Sequence, residues 1–339
     1  MESAGIAHRS THPPVGAPER ALRGRDPEAE TPAPGGEAAA REATAATGGH
    51  SLLGTARDYF ALTKPRIISL LLWTTVMTMI VAKPEGLALS TVLWTCLGGY
   101  LASGGAGAIN HFIDRKIDAR MTRTAKRPIV EGRIEPVHGL IFGIVLGLLA
   151  FVQLTVTVNL LAAVLAMGGL LGYVFIYTAW LKPRTPQNIV IGGAAGAMPP
   201  LVGWAAATGA LVPEALYPFA IIFLWTPPHF WALSLLIRDD YARTGVPMLP
   251  VVKGEVTTRR AILLYSAILV AFTILPFATG MLSGFYLASA LVLGGVFLTL
   301  AVRLQRDASK PAALRLYLSS LAYLALLFAA MAVDRLIAI

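Results

Sequence analysis

Charged residues are scarce in this chain of 339 residues: 14% are Asp, Glu, Lys or Arg, while 55% are hydrophobic. Soluble domains have about 25% charged residues. A soluble protein of this length needs a charged shell around its core, and this chain lacks the residues to form one. The composition therefore excludes an ordinary soluble protein and indicates apolar helices that cross a membrane.

Cysteine is also nearly absent, since Cys96 is the only one. A single cysteine excludes an intrachain disulfide framework and a cysteine-based metal site. Cys96 lies within an apolar stretch, where we interpret it as a small buried hydrophobic residue.

The first fifty residues have no apolar periodicity and are rich in Pro, Ala, Gly, Glu and Arg. We therefore predict a disordered cytoplasmic tail over 1–54, followed by a transmembrane domain over 55–339. The tail has no apolar segment of the kind found in secretory signals, and its acidic residues argue against an organelle transit peptide. A bacterial plasma membrane is the expected location.

Beyond the tail, the chain contains runs long enough to cross ~30 Å of hydrocarbon, which takes about 20 residues each. The fold class predicted is an all-α membrane protein with nine transmembrane helices. The predicted spans are 67–84, 89–109, 137–156, 159–180, 189–208, 215–236, 261–281, 284–303 and 316–335.

The basic residues orient these spans. Outside the tail, 21 Lys and Arg residues fall on the side that holds the N-terminus and the loops after spans 2, 4, 6 and 8, whereas Lys83 and Arg335 fall on the other side. Because cytoplasmic loops carry the excess of Lys and Arg, the N-terminus is expected inside and the C-terminus outside.

The loop after span 2 begins with an acidic pattern. Asn110, Asp114 and Asp118 follow one another at four-residue spacing. On a helix each step of four residues drifts by only ~40° around the axis, so the three oxygen-bearing side chains share one face. They are the predicted metal ligands, because Mg²⁺ takes one or two protein carboxylates and fills its shell with water and phosphate oxygens.

Arg123, Lys126 and Arg127 follow this pattern closely. Acids that hold a metal, followed by cations that neutralise a leaving group, form a plausible diphosphate site. The alternative is a solvated helix end whose charges pair with one another. The position at a membrane boundary favours a functional role, since acids are costly there.

Two further loops on the same side carry polar side chains. Asp239 and Asp240 follow span 6. They either form a second metal or phosphate contact or belong to a salt-bridged loop. Lys182 and Asn188 follow span 4. Within span 6, His229 lies beside Pro227, Pro228 and several aromatic residues. It is interpreted either as a substrate contact or as a hydrogen-bonded core residue.

Four segments together resemble a known family. They are 62–67 (Leu-Thr-Lys-Pro-Arg-Ile), 110–128, 177–200 with Thr-Pro-Gln-Asn, and 223–252 with Trp-Thr-Pro-Pro-His-Phe-Trp. The chain is similar to the UbiA superfamily of intramembrane prenyltransferases, and within it to the branch that modifies heme. The resemblance implies nine helices around a central cavity that is open to the cytoplasmic side and to lipid.

The resemblance also implies an activity, namely Mg²⁺-dependent transfer of farnesyl from farnesyl diphosphate to a vinyl group of heme B, giving heme O. It assigns the chemistry to Asp114, Asp118, Arg123, Arg127, Lys182 and Asp240, and substrate binding to Asn110, Lys126, Asn188, His229 and Asp239. Expected partners are farnesyl diphosphate, heme B and membrane lipid, with a heme A synthase as a candidate docking partner and no nucleic acid.

One feature departs from the family pattern. Many relatives have two spaced acids in the second motif, whereas Asp239 and Asp240 are adjacent here, so the number of metal ions stays open. Two alternatives remain at this point: a prenyltransferase with another aromatic or tetrapyrrole acceptor, and a secondary transporter. Acids at one membrane face rather than at the midplane disfavour transport.

Overall fold

The structure is a computed structural model that describes residues 52–338. The predicted tail lies outside the described residues except for 52–54, which already belong to a helix. The first eight helices described are α1 Leu52–Leu62, α2 Pro65–Ala82, α3 Leu89–Asp118, α4 Pro136–Thr157, α5 Leu160–Leu171, α6 Asn188–Gly196, α7 Met198–Thr208 and α8 Leu216–Leu236.

The remaining helices are α9 Arg238–Thr244, α10 Leu249–Val252, α11 Gly254–Phe272, α12 Leu275–Ala278, α13 Gly284–Arg306 and α14 Lys310–Ile337. A π-helix, Gly172–Leu181, continues α5, and a short 3₁₀ turn, Pro213–Ala215, precedes α8. The described residues contain no β-strand.

Nine segments of the described chain are long and apolar enough to cross a membrane, which confirms the predicted fold class. They are Pro65–Ala82, Leu89–Asp118, Pro136–Thr157, Leu160–Leu181, Asn188–Thr208, Pro213–Leu236, Gly254–Ala278, Gly284–Arg306 and Lys310–Ile337. A short break at Val158 separates the third span from the fourth, and another at Ser283 separates the seventh from the eighth.

Helix α3 is longer than the predicted span. It has 30 residues and ends at Asp118 instead of near residue 109, so at ~1.5 Å per residue it exceeds the ~30 Å of a hydrocarbon core. Asn110, Asp114 and Asp118 therefore lie on one continuous helix, as the spacing predicts.

Close contact between α3 and α4 depends on glycine. A methyl group added at Gly105 would lie 2.7 Å from the carbonyl oxygen of Gly143, and one added at Gly143 would lie 2.8 Å from the carbonyl oxygen of Gly105. Small residues let the backbones of membrane helices approach in this way. The approach holds the helix that carries the acidic pattern against its neighbour.

Side-chain contacts bring the loops after spans 2, 4 and 6 to one end of the bundle. Lys182 reaches Asp114, and Thr122 reaches Asp240. We call this the motif end. At the opposite end, Arg335 donates to the carbonyl oxygen of Val81. The basic loops after spans 2, 4 and 6 therefore lie at the same end of the bundle.

Candidate functional site

The acidic pattern is buried although it is polar. Asn110, Asp114 and Asp118 are each 3% exposed. The Asn110 side-chain nitrogen donates to Oδ2 of Asp114 over 2.7 Å, one helical turn further on. A buried carboxylate is costly unless charges or hydrogen bonds compensate it, so these residues require polar partners from other elements.

Two cations predicted from the sequence supply that compensation. Lys182 Nζ donates to Oδ2 of Asp114 over 2.5 Å, and Arg127 forms an ion pair with Asp118. Both cations are largely buried. The structure thus brings together five predicted site residues from the end of α3, the loop that follows it and the end of the fourth span.

Lys64 is a site residue that our sequence analysis did not assign. Its Nζ donates to Oδ1 of Asn110 over 2.6 Å. Burial and the nearby Arg127 lower the pKa of its amine to about 7, while Asp114 opposes the shift. A third basic side chain therefore borders the acidic pattern.

The backbone at Lys64 is unusual. Among the described non-glycine residues, Lys64 alone has a positive φ, of 59°, and Pro65 follows it at the start of α2. Residues other than glycine adopt this region at a cost, and such strain concentrates at functional sites. The Lys-Pro pair in the 62–67 segment was the sequence signal that could have pointed to this position.

The π-helix over Gly172–Leu181 delivers two side chains to the acidic pattern. Thr178 Oγ1 accepts from the Asn110 side-chain nitrogen over 3.2 Å, and Lys182 follows at the end of the segment. The Lys182 amide donates to the carbonyl oxygen of Tyr177, five residues back, over 2.8 Å. Stretches of π-helix are rare and occur frequently at functional sites. Apolar periodicity carries no signal for this wider turn.

Asp240 joins the two loops that follow spans 2 and 6. Its carboxylate accepts from Thr122 Oγ1 over 3.1 Å and pairs with Arg243. Burial alone would raise the pKa of Asp240, but the hydrogen bonds from Thr122 and Arg123 and the charge of Arg243 hold this pKa below its ordinary value. Asp240 therefore contacts the loop that carries the predicted cations, whereas its neighbour Asp239 is exposed.

Arg123 and Lys126 have exposed side chains on this same loop. The Arg123 backbone donates to Asp240. The loop is thus attached to α9 by its backbone, and both cationic side chains extend from it into accessible space at the motif end.

Asn188 supports Lys182 instead of contacting the acids. It is fully buried, and its side-chain nitrogen donates to the carbonyl oxygens of Thr185 over 2.7 Å and Lys182 over 3.5 Å. These bonds shape the turn that connects the π-helix to α6. Asn188 therefore stabilises the turn that carries Lys182 and does not contact the acidic side chains.

His229 lies in a separate cluster within the bundle. Its ring stacks between Trp225 and Tyr317, at centroid distances of 4.2 and 4.8 Å. Its Nδ1 shares a hydrogen bond with Ser320 Oγ over 2.6 Å. The contacts of His229 are thus with α8 and α14, and they do not include the acidic pattern.

The donor set fits a magnesium ion that is shared with phosphate. The described residues contain no group of three or more His, Cys, Asp or Glu side chains placed to hold a metal. Asp114 and Asp118 nevertheless offer two carboxylates on one helix face, beside the amide oxygen of Asn110. Mg²⁺ commonly binds through one or two carboxylates plus substrate phosphates, so these three residues suit an ion that arrives with a diphosphate.

Fold and site define a multi-pass membrane protein with a buried acidic pair, ringed by cations, at one end of its helix bundle. The chain belongs to the UbiA prenyltransferase family, which matches residues 71–330.

Several curated relatives carry the same name. A relative from Roseiflexus sp. (strain RS-1), "Protoheme IX farnesyltransferase", is 56% identical over 282 residues, which cover 83% of this chain and 53% of the relative. One from Saccharophagus degradans with the same name is 48% identical over 278 residues, covering 82% of this chain and 92% of the relative. This chain therefore spans about half the length of the first relative and nearly all of the second.

Solved structures with low sequence identity to this chain have the same fold. A structure of digeranylgeranylglyceryl phosphate synthase matches with a TM-score of 0.69 at 17% identity, covering 83% of this chain and 99% of the other. A UbiA homologue from Archaeoglobus fulgidus, bound to DMAPP and Mg²⁺, matches with a TM-score of 0.59 at 18% identity, covering 81% and 99%. At these identities the likeness concerns the fold.

Proposed function

We propose that this protein transfers the farnesyl group of farnesyl diphosphate to a vinyl group of heme B. The names of its relatives, at 56% and 48% identity, support the heme acceptor. The observation that carries the prenyl transfer is the buried pair Asp114 and Asp118, each held by a cation. A site of this kind is suited to a diphosphate and its counterion.

The reaction balances without a redox partner. The bond between the allylic carbon and the diphosphate oxygen breaks, and its electron pair leaves with the diphosphate. The vinyl π electrons form the new carbon–carbon bond to the allylic carbon. Water then adds to the cation on the former vinyl group and loses one proton, which gives the hydroxyethylfarnesyl side chain.

The residues of the chain act mainly on the leaving group. Lys182, Arg127 and Lys64 can turn from Asp114, Asp118 and Asn110 towards phosphate oxygens as the diphosphate arrives. Arg123 and Lys126 extend from the loop above. Once these donors contact the bound diphosphate, they stabilise the charge that develops on the leaving oxygen, and they act more strongly in a site that excludes water.

Mg²⁺, when bound, would be held by Asn110, Asp114 and Asp118 and would supply positive charge for the diphosphate. We assign Asp240 and Asn188 to positioning, through the loop of Arg123 and the turn of Lys182. His229 stays a proposed substrate contact, because its stacked ring lies among aromatic side chains that could pack against a flat macrocycle. Asp239, which is exposed, stays a proposed substrate contact.

We place the protein in a bacterial plasma membrane, with the motif end and the N-terminus in the cytoplasm and the C-terminus outside. The basic loops gathered at the motif end support this orientation. The product would pass to a heme A synthase, which we propose as a docking partner.

The test is the heme made by cells that express the protein. We expect Asp114→Asn to lower the yield of heme O by about 100-fold or more, because it removes charge from the proposed metal and diphosphate site. The mass of the extracted heme measures this. Asp307→Asn is the matched control, since Asp307 is an exposed acid in another loop at the motif end and should leave the yield unchanged.

A normal yield from Asp114→Asn would contradict the assignment of the site. The acceptor is tested separately, by giving the purified protein farnesyl diphosphate with either heme B or an aromatic acid. Prenylation of the aromatic acid alone would contradict the heme acceptor while leaving the prenyl transfer in place.

A further inference from the structure

His111 is a buried imidazole that the proposed function does not yet use. It follows Asn110 on α3 and is 4% exposed. Neither of its ring nitrogens has a hydrogen-bond partner within the described part of the chain. Buried polar atoms are nearly always hydrogen-bonded, so an imidazole with two unpaired nitrogens calls for a reason.

The direction of His111 follows from the geometry of α3. It lies seven residues before Asp118 and four after Gly107, so its direction differs by only ~20° from the first and ~40° from the second. A methyl group at Gly107 would meet the carbonyl oxygens of Leu62 and Thr63 at 3.0 and 3.3 Å. The face that carries His111 therefore faces the junction between α1 and α2.

That junction is where Lys64 lies, with its amine on Asn110. Lys64 is bonded to Asn110, the residue before His111, and Arg127 is paired with Asp118, which shares a helix face with His111. His111 thus borders the same site as the acidic pattern, close to two basic side chains.

This setting is suited to a hydrogen-bond donor beside an anion. The neighbouring basic side chains attract an anion to the edge of the ring, and an imidazole has an N–H group to donate to it. A leucine of similar bulk would avoid the cost of burying unpaired nitrogens, so a ligand that pairs one of them explains the residue.

We propose that His111 is a further substrate-binding residue, which donates a hydrogen bond from its imidazole N–H to an oxygen of the diphosphate group. This rests on the proposed function, since it names a contact within the same site. The bond adds a directional donor to the cations Lys64 and Arg127 without adding charge.

The experiment measures binding of farnesyl diphosphate and of inorganic diphosphate, each with Mg²⁺, to the purified full chain by calorimetry. We expect His111→Leu to weaken both by about tenfold or more, because a hydrogen bond to a charged group is lost. His111→Gln keeps an N–H donor and should recover most of the affinity. Affinity for heme B should not change in either variant.

Ser266→Ala is the matched control. Ser266 is fully buried and its hydroxyl also lacks a partner among the described residues, but it lies on α11, away from the acidic pattern. The substitution should leave diphosphate binding unchanged, which separates a ligand contact from the general effect of removing a buried polar atom.

Three outcomes would overturn the proposal: unchanged diphosphate binding in His111→Leu, equal weakening in His111→Leu and His111→Gln, or a loss of heme B affinity in place of diphosphate affinity. Failure of the proposed function is seen separately, as absence of farnesylated heme from the unaltered chain. Diphosphate binding is measured without that reaction, so the two failures are distinguishable.

Discussion

Asp114 shows how much a single buried side chain depends on its partners. Its Oδ2 accepts from Asn110 over 2.7 Å and from Lys182 over 2.5 Å. Removing one partner of a buried ion pair is more damaging than replacing both, because the remaining charge is left uncompensated. The same lysine therefore affects both the stability of the site and its chemistry.

Replacing Lys182 should affect both properties at once. We expect Lys182→Met to reduce heme O formation by at least about 100-fold, because a cation that faces the leaving diphosphate is lost. We also expect it to lower the free energy of unfolding by about 3 kcal/mol, because Asp114 stays buried without its partner. Product mass and thermal unfolding in detergent measure the two effects.

Arg184→Met is the control for this variant. Arg184 lies in the same loop but is exposed and donates to backbone carbonyl oxygens of the preceding turn. It should change neither quantity strongly. A Lys182→Met protein that kept its full rate would remove Lys182 from the diphosphate site.

At the scale of elements, the π-helix of Gly172–Leu181 has a less favourable backbone geometry than an α-helix, but it places side chains at the site. Its hydrogen bonds run between residues five apart, a geometry that proteins use rarely and mostly in short stretches. The wider turn brings Thr178 to Asn110 and Lys182 to Asp114. A regular α-helix over the same residues would point these side chains elsewhere.

Deleting Ala179, an exposed residue inside this segment, should relax the π-helix towards an α-helix. We expect heme O formation to fall to background, because the spacing between Thr178 and Lys182 shortens by one residue. Helical content and the midpoint of thermal unfolding should not fall. Circular dichroism and product mass check these outcomes together.

Ala179→Ser keeps the spacing and serves as the control, with activity close to that of the unaltered chain. Full activity after the deletion would show that the wider turn is not needed to place Lys182.

On the scale of the whole molecule, the two ends of the bundle have different tasks. The motif end holds the buried acids of the proposed site, while the opposite end contains another buried acid, Asp334, which is 1% exposed near the end of α14. Asp334 accepts from the backbone amides of Ser283 over 2.8 Å and Tyr286 over 3.0 Å, and from the Ser283 hydroxyl. It thereby caps the start of α13 from another helix.

Asp334→Ala should destabilise the bundle without altering the chemistry. The buried amide of Tyr286 and the partly buried amide and hydroxyl of Ser283 would lose their acceptor, so we expect the free energy of unfolding to fall by about 2 kcal/mol. The rate of heme O formation per folded molecule should stay the same, because Asp334 lies at the end opposite to the acidic pattern.

Asp307→Ala provides the comparison for this variant, since Asp307 accepts from the amide of Ser309 in an exposed turn. Asp307→Ala should lower the free energy of unfolding by much less than Asp334→Ala does. An Asp334→Ala protein with normal stability but a changed rate of heme O formation would contradict this prediction, because it would show that Asp334 affects the chemistry at the motif end.

Much of this arrangement could be predicted from the sequence. Apolar runs of about 20 residues must be membrane helices, because no other structure satisfies the backbone in lipid except a closed barrel. The Lys and Arg distribution placed the basic loops on one side. Four-residue spacing placed Asn110, Asp114 and Asp118 on one helix face, where the structure has them.

The tertiary structure decided which cation meets which acid. Lys182 lies 68 residues after Asp114 in the chain, and only the packing of α3 against the fourth span brings it to the acidic pattern. Lys64 and His111 became visible as site residues in the same way, through the turn at Pro65 and the close approach at Gly107. Local patterns determine which residues form helices and which end is charged, whereas contacts between distant segments depend on how the helices pack.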